Sequence, residues 1–313
     1  LSRWAEFFPK DDNMTTKAAF LMLLTFVFCG CQASDTLRGG DGFDDSGGGS
    51  ETGNGSHDSS DDAALDTDDN ALDDGCSQEA KYIYVVTTDK ALLKFDPGSK
   101  MFFEIGEIDC PEYNSPVSMA VSRDAVAYVL YDGGKLFRVS TSDASCQGQM
   151  ADLWTGNQET RGMGFATVGN STVEVLYTYR MNPAPPQLAT IDTHTWKTTP
   201  IGPMTGRPEL TGTGKGELWG FFASAPSGPI VARVDTETGA LATTFDASAV
   251  GGPESWAFAF WGGAFYIFSK EYNEPSTTVY EVKATGQLSV YMANTGVNIV
   301  GAGVSTCAPV TPI

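Results

Sequence analysis

One unit of strand, corner and strand recurs along this chain, and repetition at a fixed period restricts the fold more than any single motif does. It is clearest from Ile230 to Phe245, where two β-type runs flank an Asp-Thr-Glu-Thr-Gly corner. Looser copies stand at Leu92–Asp96, Leu136–Ser140, Leu188–Asp192 and Val279–Lys283. With Phe95, Val139, Ile191, Val234 and Val282 as equivalent positions, the intervals are 44, 52, 43 and 48 residues. That spacing suits the four-stranded blade of a β-propeller.

Each unit opens upstream with a small, apolar run: Val117–Val121, Met163–Thr167, Leu210–Thr213 and Trp256–Phe260. Small residues there fit innermost strands that crowd around an axis. A second strand follows, as in Ala127–Tyr131, Val173–Tyr177, Leu218–Phe222 and Phe265–Phe268, and then the third ends at the corner. At the corners, Asp96, Asp192 and Asp235 are expected to cap the turn, and Gly98, Gly239 and Gly286 to supply positive φ. The first unit has no opening run, since Lys81 leads directly into Tyr82–Val86, whereas Ile299–Val304 matches an opening run with no second strand after it. Closure of a circle by the C-terminal strand removes two exposed sheet edges and gives an all-β, five-bladed propeller over residues 81–313. The alternatives are a sixth, incomplete blade or a pair of β-sandwiches.

Closure also brings Cys76, just before the first strand, to Cys307, just after the last. Cys110 ends the first unit and Cys146 stands at a corner of the next, so the expected disulfides are Cys76–Cys307 and Cys110–Cys146. No closely spaced cysteine pair suggests zinc, and no metal or cofactor is expected.

The formal charge of −20 is concentrated in one segment. Residues 32–80 hold 14 acidic side chains against Arg38 alone, while residues 81–313 hold 22 acidic and 15 basic ones. Without a basic footprint, nucleic acid is excluded as a partner. The only histidines are His57, in the acidic segment, and His194, at a predicted outer corner. Neither is placed to serve a Ser-His-Asp, Cys-His or multi-histidine metal site.

Residues 1–13 have no periodicity and read as upstream sequence, with Met14 as the start. Lys17, the apolar run Ala18–Phe28 and Cys29-Gly-Cys31 follow; the run is too short to span a membrane and has the layout of a signal peptide over residues 14–30. Phe28–Cys31 resembles the lipobox of bacterial lipoproteins, although Cys29 departs from the usual Ala or Ser. The resemblance implies that Cys31 is acylated and anchors an exported protein in membrane lipid. Gln32, in place of Asp, leans toward the outer membrane. The alternative is an ordinary secretory signal cut near Ala33-Ser34. Residues 31–80, rich in Gly, Ser and Asp, are expected to form a disordered, extended tether. Asp66–Asn70 opens like a calcium loop, but Ala71 and Ser77 occupy the positions that need Gly and Glu.

Runs such as Ser118–Val121, Gly164–Thr167, Trp256–Gly263 and Ile299–Pro309 resemble those of uncharacterised lipoproteins common in myxobacteria. More distantly, the repeat is similar to propellers of the NHL and quinoprotein-like kind. Neither resemblance implies an activity. A ligand is expected where the innermost strands begin. There Asn114, Arg161, Arg207, Glu209, Glu254 and Asn298 would ring a polar funnel for a polar ligand or an envelope protein, the alternative being that they only satisfy one another. Trp154, Trp196, Trp219, Trp256 and Trp261 read as blade packing rather than as a carbohydrate platform. The expectation is a monomeric binding or scaffolding lipoprotein rather than an enzyme. The alternative is a carboxylate-dependent hydrolase or lyase using Glu209 and Glu254.

Overall fold

The computed structural model describes residues 76–155, 159–182 and 184–311. The expectations for the signal peptide, Cys31, the acidic tether and the calcium-like loop lie outside the described residues. A short segment from Cys76 to Tyr82 precedes the first strand. A short 3-10 turn at Glu79–Lys81 there buries Ala80 completely.

Among the described residues, twenty strands form five four-stranded antiparallel sheets. The first contains β1 (Ile83–Thr87), β2 (Ala91–Asp96) and β3 (Met101–Glu107). The second holds β4 (Pro116–Val121), β5 (Val126–Tyr131), β6 (Lys135–Ser140) and β7 (Cys146–Asp152). The third holds β8 (Thr160–Thr167), β9 (Glu174–Arg180), β10 (Gln187–Ile191) and β11 (Thr198–Pro203). The fourth holds β12 (Glu209–Gly212), β13 (Leu218–Phe222), β14 (Ile230–Val234) and β15 (Leu241–Asp246). The fifth holds β16 (Ser255–Trp261), β17 (Ala264–Lys270), β18 (Thr278–Lys283) and β19 (Leu288–Met292). The last strand, β20 (Ile299–Val304), pairs back onto β1, with Ile83 opposite Val304 and Val85 opposite Ala302. The molecule is a closed five-bladed β-propeller.

Innermost strands β20, β4, β8, β12 and β16 contact one another in a ring, and small residues are what permit it. A Cβ on Gly212 would lie 2.1 Å from the carbonyl oxygen of Phe165 on the next blade, and one on Gly164 would lie 2.7 Å from that of Leu210. Neither glycine has positive φ, so the requirement is one of space alone. Gly212→Ala is expected to cost about 1–3 kcal/mol, the range for overpacking. Gly252→Ala is the matched control, because nothing lies within 4 Å of its added Cβ. Thermal unfolding of the two variants checks this.

The blades pack through five apolar clusters, one at each interface. Between the fifth and first blades, for example, Phe95 meets Phe268 edge-on with ring centroids 5.6 Å apart. The corners are built as the sequence suggests. Asp235 Oδ1 accepts the backbone N–H groups of Glu237 and Thr238, and Asp192 Oδ1 those of His194 and Thr195. One expectation needs correcting. Gly239 and Gly286 take positive φ, but Gly98 does not; in that corner Lys100 turns the chain at φ 56°. Asp96 accepts the Gly98 N–H and so fixes the turn one step earlier.

Two disulfides staple the ring. Cys76–Cys307 ties the start of the first sheet to the end of β20, and Cys110–Cys146 clasps the first blade to the second. At the Cys76 end, the axis is narrowed by backbone and side-chain contacts. A Cβ on Gly214 would lie 2.5 Å from the Thr306 carbonyl oxygen, and Thr306 Oγ1 donates to Glu174 Oε1 at 2.7 Å. Burial raises the Glu174 pKa above the ordinary value.

Candidate axial binding site

The opposite end of the axis is where the five innermost strands begin, and the loops 108–115, 204–208, 247–254 and 293–298 lead into them. A cavity of about 400 Å³ opens there. Its walls combine Pro116, Val117, Pro208 and Val300 with charged and aromatic groups from the third, fourth and fifth blades. This volume lies in the lower part of the range for small-molecule sites, roughly 300–1,000 Å³.

Of the six residues singled out from the sequence, Arg161, Arg207, Glu209 and Glu254 line this cavity together. Glu209 opens β12 and is 6% exposed. Its Oε2 accepts a hydrogen bond of 2.9 Å from Ser118 Oγ on β4, which in turn accepts the Met163 backbone N–H of β8. A three-blade chain of hydrogen bonds therefore holds the carboxyl at the base of the funnel. Burial pushes its pKa up to about 8, against smaller opposing effects from Ser118 and the Arg161 charge. At neutral pH the group is mostly a neutral carboxylic acid, able to donate as well as accept.

The other charges are arranged in pairs. Arg161 donates from Nε to Glu159 at 2.7 Å, reaches Asp132 at 3.2 Å, and lies 4.8 Å from the Trp154 ring centroid. Glu254 pairs with Lys270 at 2.8 Å. Arg207 is exposed and makes no hydrogen bond or ion pair among the described residues. Tyr179 is 4% exposed, yet its hydroxyl also has no hydrogen-bond partner among the described residues. Burial raises its pKa well above the usual phenol value, so it stays a protonated donor.

No protein-family model matches the chain, and no curated protein matches it. Among solved structures, it is similar to a chain of a nidogen–laminin complex, at 12% identity and a TM-score of 0.47, over 71% of this chain and 97% of that one. It is also similar to a protein of unknown function from Bacteroides caccae, at 10% identity and a TM-score of 0.41, over the same shares of the two chains. A chain of the mitotic checkpoint complex is similar at 13% identity and a TM-score of 0.37, over 67% of this chain and 60% of that one. These likenesses bring no ligand or partner to this protein.

Two of the residues singled out do not line the cavity. Asn114 is exposed, and its amide packs against the Gly133 turn. Asn298 is half-buried; its carbonyl accepts the Thr88 N–H, and its Oδ1 has no partner among the described residues. Sequence reasoning missed Glu159, Tyr179 and Trp256 as lining groups. Trp256 does pack against the cluster between the fourth and fifth blades, as expected of a packing residue, but it also forms cavity wall. Its place at the start of an innermost strand was the signal that separated it from Trp219 and Trp261. Among the described residues, no three His, Cys, Asp or Glu side chains gather as metal ligands would.

Proposed function

We propose that this protein is an exported lipoprotein that displays its propeller funnel for a small polar ligand at the cell envelope. The observation that carries the reading is the convergence of two arginines, three glutamates, the hydroxyl-bearing Tyr179 and a tryptophan on one cavity where all five blades meet. A pair of disulfides fits an oxidising compartment. No helix among the described residues is long and apolar enough to cross a membrane. Attachment therefore rests on the lipobox-like Phe28–Cys31 and on acylation of Cys31, where two or more chains give stable anchoring. The likeness to myxobacterial lipoproteins belongs to the same reading. Cys76 lies at the other end of the axis from the funnel mouth.

The test uses full-length protein and a variant with the mouth filled, Ser115→Trp. The native chain should retain a component of a fractionated envelope extract that the filled variant does not, at an unchanged thermal midpoint. Equal retention by both would contradict a funnel site. Sedimentation with membranes, lost on Cys31→Ala, checks the anchor.

A second reading is favoured by Glu209 itself. A carboxyl that holds its proton at neutral pH is the state a general acid requires, and the ion-paired Glu159 or Glu254 would serve as its partner in a carboxylate-dependent hydrolase. Turnover of a panel of aryl glycosides, abolished by Glu209→Gln, would establish it. No turnover across the panel would remove it.

A further inference from the structure

Unused binding capacity, rather than total charge, indicates what a site will take. Glu159, Glu254 and Asp132 each hold a cation, and Glu209 holds a hydroxyl. Ion-paired carboxylates keep further lone pairs that can accept hydrogen bonds from ligand hydroxyls. Among the charged and phenolic lining groups, the two without hydrogen-bond partners are donors, the Arg207 guanidinium and the Tyr179 hydroxyl, beside the Ser115 and Ser255 hydroxyls. A planar guanidinium fits a carboxylate with two parallel hydrogen bonds, and a phenol adds a third donor. The half-buried Trp256 offers an apolar face on the same cavity. A ligand matching all three demands carries a carboxylate, several hydroxyls and a ring with an apolar face. About one or two pyranose rings suit the volume.

We propose that the funnel binds an acidic saccharide of the uronic-acid class. Its carboxylate lies on Arg207 and Tyr179, its hydroxyls on the paired glutamates, and one ring face on Trp256. This rests on the funnel being the binding site and adds the ligand's chemical class. A neutral sugar would leave Arg207 unmatched. A simple carboxylic acid would leave the acceptor-rich wall and Trp256 unused.

The experiment is calorimetric titration of the full-length protein with digalacturonate, with the neutral disaccharide cellobiose and with acetate. Digalacturonate is expected to bind at least tenfold more tightly than either of the others, and more weakly as salt is raised. Arg207→Gln should erase the preference for the acid over cellobiose, and Tyr179→Phe should reduce that preference. Arg207 is exposed, so its replacement is not expected to disturb folding, and the thermal midpoint verifies this. Equal affinity for the acidic and neutral sugars, or a preference that survives Arg207→Gln, would overturn the proposal. Acetate binding as tightly as digalacturonate would also overturn it. Binding of none of the three would overturn the ligand class alone. The wider funnel reading then stands or falls separately on whether Ser115→Trp abolishes retention of an envelope component.

Discussion

Replacing Cys76 and Cys307 together by serine is expected to lower unfolding stability by several kcal/mol, with about 5 kcal/mol as the ceiling from loop-closure entropy. The bond closes a loop with a sequence separation of 231, against 36 for Cys110–Cys146. By the same relation, the shorter loop contributes at most about 4 kcal/mol. The long-range bond also has a second role. It holds β20 beside β1, and β20 is the innermost strand of the first blade, with neighbours on both sides of the ring. Losing the Cys76–Cys307 bond should therefore loosen the first blade first. Hydrogen exchange should show early loss of protection in β1 and β20, whereas loss of Cys110–Cys146 should affect the outer edges of the first two blades. Equal effects of the two double variants on midpoint and on β20 protection would contradict this account of closure.

Glu209 gives the second large effect, and its sign follows from the direction of the shift. The folded-state pKa is about 8, against an ordinary value of 4.5, so the folded protein holds a proton that the unfolded chain releases. Stability from this group is fully present below about pH 4.5 and is lost as pH rises through about 8. The full swing is on the order of 5 kcal/mol at about 1.4 kcal/mol per unit. The half-buried Glu174 acts in the same direction. Glu209→Gln keeps an acceptor for Ser118 and removes the ionisation. The variant should match the native protein near pH 5 and exceed it clearly near pH 9. Urea unfolding at pH 5, 7 and 9 reads this directly. Parallel pH profiles for the two proteins would show that Glu209 ionises freely, and that the base of the funnel is wetter than its burial indicates.

The fold was legible because each blade repeats the same physical problem. Innermost strands must be small, as at Gly164 and Gly212, and corners need Asp235-like caps, so the repeat is written in residue types. The missing opening run of the first unit and the orphan run Ile299–Val304 were enough to specify closure and the pairing of Cys76 with Cys307. Gly98 shows the limit: the residue type permits positive φ, but its neighbours decide which position takes it.

The site was legible where it depends on strand starts and illegible where it depends on depth. Arg161, Arg207, Glu209 and Glu254 precede or open innermost strands, and the ring geometry brings them together. Asn114 and Asn298 occupy similar sequence positions, but local contacts take them out of the lining. Tyr179 comes from β9, a second strand, lines the cavity, and packs closely against Gly162, which has no side chain. A Cβ there would lie 3.0 Å from the tyrosine ring and 2.1 Å from the Pro208 carbonyl oxygen. No strand-start pattern reports such a contact. The corner at Ile230–Phe245, the most readable copy of the repeat, joins β14 to β15 away from the axis and serves the blade alone.

The central claim is that the funnel, rather than the corner-bearing end or the rim of the blades, is where this protein meets its ligand. Differential hydrogen exchange of the full-length chain, with and without the envelope fraction, tests it most directly. The account predicts new protection at Ser115–Ser118, Arg207–Leu210 and Glu254–Ala257, absent in Ser115→Trp. Protection confined to the opposite end or to the outer corners, such as Asp235–Ala240, or no protection anywhere, would contradict it.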